Sequence, residues 1–302
     1  MKFHFPVMVT VGLLLGAVSQ AYGGGVGWTQ DFEAAKSRAH KEGKDLLLDF
    51  TGSDWCHWCI QLNEEVFSKE YFQKTAPDRF VLVTLDFPRT RNLPEEIKTQ
   101  NQKLMEEHGI RGFPTIILTD ANGKAFARTG YKEGGPEPYV QHLAELQNNK
   151  NTWQTMLADA KLATGLEKAR LLDAAITAYS ANGIEEPLEN LIAQIKELDK
   201  DDEAGLRAKY VVSEKLSEME SELNSSGDFD KALRELDSLF NISRNSPETR
   251  QRIYLFQASI FLQGKNDRNA GLENLRKAVQ AAPASSLGKR IATAIQEIES
   301  GE

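Results

Sequence analysis

Cysteine is nearly absent: the 302-residue chain has two, Cys56 and Cys59, and only two residues separate them. A disulfide between them would close so small a loop that it could constrain the unfolded chain very little. Stabilisation of the fold is therefore a poor reason for the pair. Cysteines at this spacing are typical of reversible redox chemistry.

The sequence also lacks a cluster of basic residues. Its 36 lysines and arginines are outnumbered by 44 aspartates and glutamates, so the formal net charge is −8. Proteins that bind nucleic acids or anionic membranes need clustered positive charge. We therefore expect neither nucleic acid nor an anionic membrane surface as a partner.

Long hydrophobic runs are missing except at the N-terminus. Lys2 precedes an apolar stretch over residues 7–18, and small residues at positions 19 and 21 suit a cleavage site. The stretch is too short to span a bilayer comfortably. We predict a signal peptide over residues 1–21, with an uncleaved anchor as the alternative. The mature chain is then expected to be exported, periplasmic or extracellular, and free of the membrane.

The first half of the mature chain alternates between helices and short apolar strands. The predicted helices span residues 32–42, 59–74, 94–107 and 137–146, and the predicted strands span residues 46–50, 80–85, 115–119 and 125–128. The resulting order, βαβαββα, is typical of an α/β domain with a mixed sheet covered by helices on both faces. We assign this domain to residues 22–149.

Beyond a polar segment at 148–151, predicted to be a linker, no strand-like alternation occurs. Apolar residues instead recur at helical spacing in stretches around 188–198, 232–240, 272–279 and 287–298. Gly227 and Gly264 lie in loops at about the period of helix-hairpin repeats, although the tetratricopeptide signature is largely missing. Residues 150–302 are therefore predicted to be all-α, as a degenerate solenoid or an ordinary helical bundle.

The dithiol lies where a predicted strand feeds directly into a helix. Cys56 is therefore expected at the helix N-terminus, where free backbone N–H groups and the helix dipole stabilise a thiolate. A lowered pKa makes Cys56 the attacking sulfur. Cys59 lies one turn further along and can resolve a mixed disulfide.

Two distant motifs occur here in the order found in thioredoxin. Trp55 precedes the dithiol, and residues 108–115 (HGIRGFPT) match the segment before the cis-proline of thioredoxin. Residues 28–146 therefore resemble the thioredoxin-like superfamily. The W-C-x-W-C form followed by residues 65–67 (EVF) is more similar to the exported bacterial branch than to thioredoxin itself.

The resemblance implies that Pro114 is cis, packs against the disulfide and exposes the backbone of Phe113 to a substrate strand. It also implies a substrate-facing surface and no cofactor beyond the redox-active Cys56–Cys59 disulfide. The residues assigned to that surface are Trp55, His57, Trp58, Gly112, Phe113 and Pro114.

Asp49 resembles the buried acid that moves the proton of the second cysteine, and burial should raise its pKa. Asp49 nevertheless lies one residue further from the first cysteine than in thioredoxin, so either Asp49 or Asp54 could face Cys59. The basic residue that thioredoxin keeps on its central strand corresponds to Thr84.

His57 follows the first cysteine, whereas disulfide isomerases and strong oxidants carry histidine before the second. A histidine there could stabilise the thiolate or simply be solvated. The direction of electron flow therefore cannot be carried over.

The sequence thus predicts a thiol–disulfide oxidoreductase that acts on protein thiols and disulfides, with an unidentified electron-transfer partner and a helical domain that docks partners. Two other classes remain open. One is a non-enzymatic adaptor or chaperone. The other is a protein that binds Cu or Zn through Cys56, His57 and Cys59, although no second cysteine pair completes the site and the other histidines are scattered.

Overall fold

The structure, a computed structural model, describes Gly25 and residues 27–184 and 188–300. The predicted signal peptide, residues 1–21, lies outside these residues. None of the described helices is long and apolar enough to cross a membrane. The chain forms two compact units that divide between Ala144 and Glu145, and the predicted domain boundary after residue 149 stays a prediction.

The first unit is built on a mixed five-stranded sheet, which confirms the predicted α/β class. Its strand order is β1-β3-β2-β4-β5; β1 and β2 pair with β3 in parallel, and β4 is antiparallel to both β2 and β5. The strands are β1 (Trp28–Thr29), β2 (Asp45–Thr51), β3 (Phe80–Asp86), β4 (Thr115–Thr119) and β5 (Ala125–Thr129).

Two helices, α1 (Phe32–Glu42) and α4 (Glu95–Glu107), contribute to the core on one face of the sheet. The carboxylate of Asp31 accepts a hydrogen bond from the Ala34 N–H at the start of α1, and Gly43 ends it at φ 65°. A capping aspartate and a C-terminal glycine in the left-handed region are both typical of helix ends. The inward side chains include Phe32, Leu104 and alternate residues of the central strands.

The opposite face carries the segment that follows the dithiol. The predicted helix over 59–74 is interrupted: it consists of α2 (His57–Leu62), a π-helical turn (Asn63–Phe67) and α3 (Glu70–Thr75). Phe67 of the turn contacts Trp28 of β1, Phe72 of α3 and Tyr139 of the following helix α5 (Pro136–Leu162).

The prediction that α5 ends near residue 146 is wrong, because the helix runs through the polar segment 148–151. Asn149 donates to the side-chain oxygen of Asn182 at 3.0 Å, and Asn182 donates to the Leu146 carbonyl at 2.9 Å. These contacts favour a helix where local propensity is weak.

The second unit is helical throughout its described residues, as predicted. Its remaining helices are α6 (Gly165–Ser180), α7 (Glu189–Leu198), α8 (Leu206–Ser226), α9 (Phe229–Ile242), α10 (Pro247–Ser259), α11 (Arg268–Ala281) and α12 (Ser286–Ser300). The four apolar stretches found in the sequence lie in α7, α9, α11 and α12 and contribute to three hydrophobic clusters. Whether these helices constitute a repeat stays a prediction.

Candidate active site

Cys56 is the N-cap residue of α2. Its backbone is extended, its N–H donates to the Gly52 carbonyl at 2.9 Å, and its sulfur accepts from the Cys59 N–H at 3.3 Å. The two cysteines form a disulfide with a Cα–Cα distance of 5.2 Å. Both are largely buried, and Cys56 stands where unpaired helix N–H groups stabilise a thiolate, as the sequence predicts.

The Phe113–Pro114 peptide bond is cis, as the resemblance implies. The Phe113 ring is partly buried between two aromatic neighbours, with its centroid 5.9 Å from Trp55 and 5.2 Å from Phe87. Gly112 is exposed, and its carbonyl accepts from the Thr115 hydroxyl at 2.8 Å. The loop that holds the cis-proline therefore contacts the Trp55 side of the dithiol.

Asp49 is buried in the middle of β2, with 4% of its surface exposed. Burial and, to a lesser extent, the charge of the nearby Asp86 together raise the pKa of this carboxyl to about 8. Thr84 is its register partner on β3, so the two side chains lie on the same face. Asp49 Oδ1 and Thr84 Oγ1 are buried, and neither has a hydrogen-bond partner among the described residues.

Asp86 is a second buried carboxylate on that face and was not singled out from the sequence. It accepts hydrogen bonds from the Ser53 N–H at 3.0 Å and the Ser53 hydroxyl at 2.7 Å, and it pairs with Arg91. The sequence could have indicated Asp86, because it directly follows a predicted buried strand and precedes a loop with two arginines. These bonds fix the segment that leads into Cys56.

Asp54 points away from this buried face. It accepts from the Thr90 hydroxyl and from the backbone N–H groups of Arg89 at 2.9 Å and Thr90 at 2.7 Å. These hydrogen bonds lower the pKa of Asp54 to about 2. Of the two aspartates weighed from the sequence, Asp49 alone combines burial with a raised pKa, and Asp54 anchors the β3–α4 loop.

Trp55 is held by the same loop. Its indole N–H donates to the Phe87 carbonyl at 2.8 Å, and the Arg89 guanidinium lies over its ring, 3.8 Å from the centroid. Gly52 lies beneath, where an added Cβ would come within 2.5 Å of the indole. Arg89 has no sequence signal beyond its charge, because its partner lies far away in the chain.

On the other side of the dithiol, Trp58 is 51% exposed and its ring centroid lies 5.2 Å from that of Tyr131. The Tyr131 hydroxyl donates to Glu65 at 2.6 Å, which lowers the pKa of Glu65 and raises that of Tyr131 to about 12. Exposed His57 contacts the Trp58 ring edge-on. Its influence on the thiolate stays a prediction.

Within residues 27–184 and 188–300, no group of three or more His, Cys, Asp or Glu residues is placed to hold a metal ion.

Known proteins resemble the first unit. Residues 32–147 match the family model of a thioredoxin-like domain. Disulfide bond reductase DsbH of Chlamydia pneumoniae is 35% identical over 114 residues, which are 38% of this chain and 69% of the relative. Thioredoxin-related protein DsbJ of the same species is 29% identical over 34% of this chain and 30% of its own length.

Thiol:disulfide interchange protein DsbD of Actinobacillus pleuropneumoniae is 30% identical over 30% of this chain and 15% of the relative. The chain thus spans less than a third of DsbJ and of DsbD. Among solved structures, a DsbH oxidoreductase matches with 35% identity and a TM-score of 0.36, over 37% of this chain and 78% of that one. A Thermus thermophilus thioredoxin matches with 21% identity and a TM-score of 0.30, over 40% of this chain and 84% of the thioredoxin chain.

Proposed function

The chain belongs to the thioredoxin-like family and is a thiol–disulfide oxidoreductase, and from this premise we propose that it reduces disulfides in exported proteins. One observation carries the proposal: the Cys56–Cys59 disulfide stands at a helix N-terminus, and Trp55, which directly precedes Cys56, contacts the ring of Phe113, the residue before the cis-proline. The buried Asp49 lies in the strand that leads to this helix. The similarity to DsbH of Chlamydia pneumoniae, a disulfide bond reductase, supports this direction.

In the first step, the Cys56 thiolate of the reduced protein attacks one sulfur of a substrate disulfide. A bond forms between Cys56 and that sulfur, the substrate S–S bond breaks, and the other substrate sulfur leaves as a thiolate that takes up a proton. The N-terminal position of Cys56 favours its thiolate form. The backbone at Phe113, directly before the cis-proline, is proposed to pair with the substrate strand.

In the second step, Cys59 loses its proton to the ionised form of Asp49 and attacks the Cys56 sulfur. The Cys56–Cys59 disulfide forms, and the substrate sulfur leaves as the second thiol. The substrate gains two electrons, which the dithiol gives up. Because the pKa of Asp49 is raised to about 8, its carboxyl can accept and release a proton near neutral pH. A thiol-bearing electron donor, not yet identified, must reduce the protein again.

The reduction potential of the Cys56–Cys59 pair tests the direction. Equilibration with glutathione should give a value near that of reducing thioredoxins, about −270 mV, and not near the roughly −120 mV of a strong oxidant. An oxidant-like potential would assign the opposite direction while leaving the exchange chemistry intact.

Trapping tests the roles of the two cysteines. Cys59→Ser should accumulate mixed disulfides with exported proteins, because the resolving thiol is gone. The matched control Cys56→Ser should trap none. If both variants behave alike, and Cys56→Ser keeps partner binding, the protein acts as a non-enzymatic adaptor.

We further propose that the helical residues 150–302 dock a substrate or an assembly partner. This proposal is supported by the separate compact helical unit, which has its own clusters of buried apolar side chains. A partner trapped on Cys59→Ser should then also crosslink to this region. Crosslinks confined to residues 27–144 would argue against the docking role.

A further inference from the structure

Arg89 contacts the residue that directly precedes the nucleophilic cysteine. Its guanidinium carbon lies over the Trp55 ring, 3.8 Å from the centroid, and Trp55 directly precedes Cys56. The backbone beneath it is fixed, because Asp54 accepts hydrogen bonds from the N–H groups of Arg89 and Thr90. An arginine stacked on an aromatic face keeps its edge N–H groups available for a planar anion.

The Arg89 charge has no counterpart in the part of the chain that the structure describes, where no carboxylate forms an ion pair with its guanidinium. Neighbouring cations differ in this respect: Arg91 pairs with Asp86, and Lys98 with Glu95. Asp54 engages only the backbone of Arg89. In a chain of net charge −8, an unpaired cation that lies over the ring of the residue before Cys56 stands out.

There is room for a ligand at this position. A cleft of about 660 Å³ lies between the β3–α4 loop and α4, and Arg89 is part of its lining together with Phe87 and Pro88. Phe87 and Trp55 also contact Phe113, the residue before the cis-proline. A substrate strand that pairs at Phe113 would therefore pass close to Arg89.

We propose that Arg89 binds a carboxylate side chain of the protein substrate, an Asp or Glu a few residues from the substrate cysteine. This inference rests on the proposed function and adds to it the substrate class that the site prefers. Trp55 positions the guanidinium, Asp54 fixes the loop, and the edge N–H groups of Arg89 donate two parallel hydrogen bonds to the carboxylate.

The test uses the full-length protein and three disulfide-linked peptides that differ only in the residues beside the cysteine: aspartate, serine or lysine. We expect kcat/KM in the order aspartate, serine, lysine, with roughly three- to fivefold between the first two at low salt. The difference should shrink in 0.5 M salt, because exposed charges are screened.

Arg89→Gln should remove the preference for the aspartate peptide, and Arg89→Glu should reverse it. The matched control Lys41→Gln removes an exposed cation of α1 that is not part of the cleft lining, and it should keep the wild-type preference. Equal kcat/KM for the aspartate and serine peptides in the wild type, or an equal loss on all three peptides in Arg89→Gln, would overturn the inference.

A binding measurement separates this inference from the proposed function. The aspartate peptide with its cysteine replaced by serine cannot exchange disulfides, yet it should bind the wild type more tightly than Arg89→Gln by the same three- to fivefold factor. The wild type could reduce no peptide and still bind the serine-substituted peptide more tightly than Arg89→Gln. In that case the proposed function would be wrong, and carboxylate binding by Arg89 would be confirmed. Equal binding by the two proteins contradicts the role of Arg89.

Discussion

The dithiol has a buried side and an exposed side, and an aspartate marks each of them. The buried side, which we call the floor, consists of Asp49, Thr84 and Asp86 on one sheet face. The exposed side, the rim, consists of Asp54, Trp55, Arg89 and Thr90.

The pKa of Asp49 rises to about 8 and that of Asp54 falls to about 2, although the same short segment carries both. The difference comes from solvation and hydrogen bonding, since Asp49 is desolvated and Asp54 accepts several donors. Asp49 of the floor can therefore transfer a proton near neutral pH, whereas Asp54 of the rim stays negatively charged there.

The largest expected effect comes from Asp49→Asn, which removes the proton acceptor from the floor. The step that resolves the mixed disulfide should slow by roughly 100-fold, within the range of general-base contributions. In the wild type, the rate of this step should rise with pH up to about 8 as Asp49 ionises, and this rise should vanish in the variant. Stopped-flow measurement of thiol release checks both. An unchanged profile in Asp49→Asn would assign the proton to another group.

The same substitution should stabilise the oxidised protein. The folded pKa of Asp49 lies above its unfolded value, so its carboxyl destabilises the fold progressively as pH rises from about 4 to about 8. Asp49→Asn should therefore raise the free energy of unfolding by about 2–4 kcal/mol at pH 8, and the gain should shrink toward pH 4. Urea denaturation at both pH values checks this, and a gain that does not depend on pH would contradict it.

At the rim, Gly52→Ala should displace Trp55, because the added Cβ would lie 2.5 Å from the indole. We expect a loss of about 1–3 kcal/mol in the free energy of unfolding, typical of overpacking. Trp55 fluorescence should change with it. The matched control is Gly112→Ala, where the added Cβ meets nothing within 4 Å; a similar loss there would show a general intolerance of substitution near the site.

The smallest expected effect is that of Asp54→Ala, which removes an exposed acceptor. Hydrogen exchange at the Arg89 and Thr90 amides should accelerate, because both lose the carboxylate that they donate to. The stabilisation from Asp54 is present above its unfolded pKa and is lost as pH falls toward 2. The exchange difference between wild type and variant should therefore be clear at pH 6 and disappear near pH 2. Protection of both amides in the variant would show that the loop is held by other contacts.

The floor was more predictable from the sequence than the rim. Burial of Asp49 follows from its place inside an apolar strand, and the position of Cys56 follows from the strand-to-helix junction. The cis bond before Pro114 came from the resemblance to thioredoxin. These features depend on local pattern and on a known motif.

The rim depends on contacts between distant segments that no local pattern marks. Asp54 contacts Arg89 and Thr90, which follow it in the chain only after α2, α3 and β3. The sequence left the roles of Asp49 and Asp54 open for that reason. The length of α5 was also hidden, because its polar segment is stabilised by Asn182, more than 30 positions away. Side-chain hydrogen bonds at such separations have no periodic signature.

The β3–α4 loop has a consequence for engineering. Surface loops generally tolerate insertions, but this one is bound to the segment before Cys56 through Trp55, Asp54 and Ser53. An inserted label there would pull the cysteine-bearing segment out of place. The β4–β5 turn closes on itself through Asp120, which accepts from the Asn122 and Lys124 N–H groups. A fluorophore or affinity tag therefore belongs in that turn, because the hydrogen bonds to Asp120 stay within the turn.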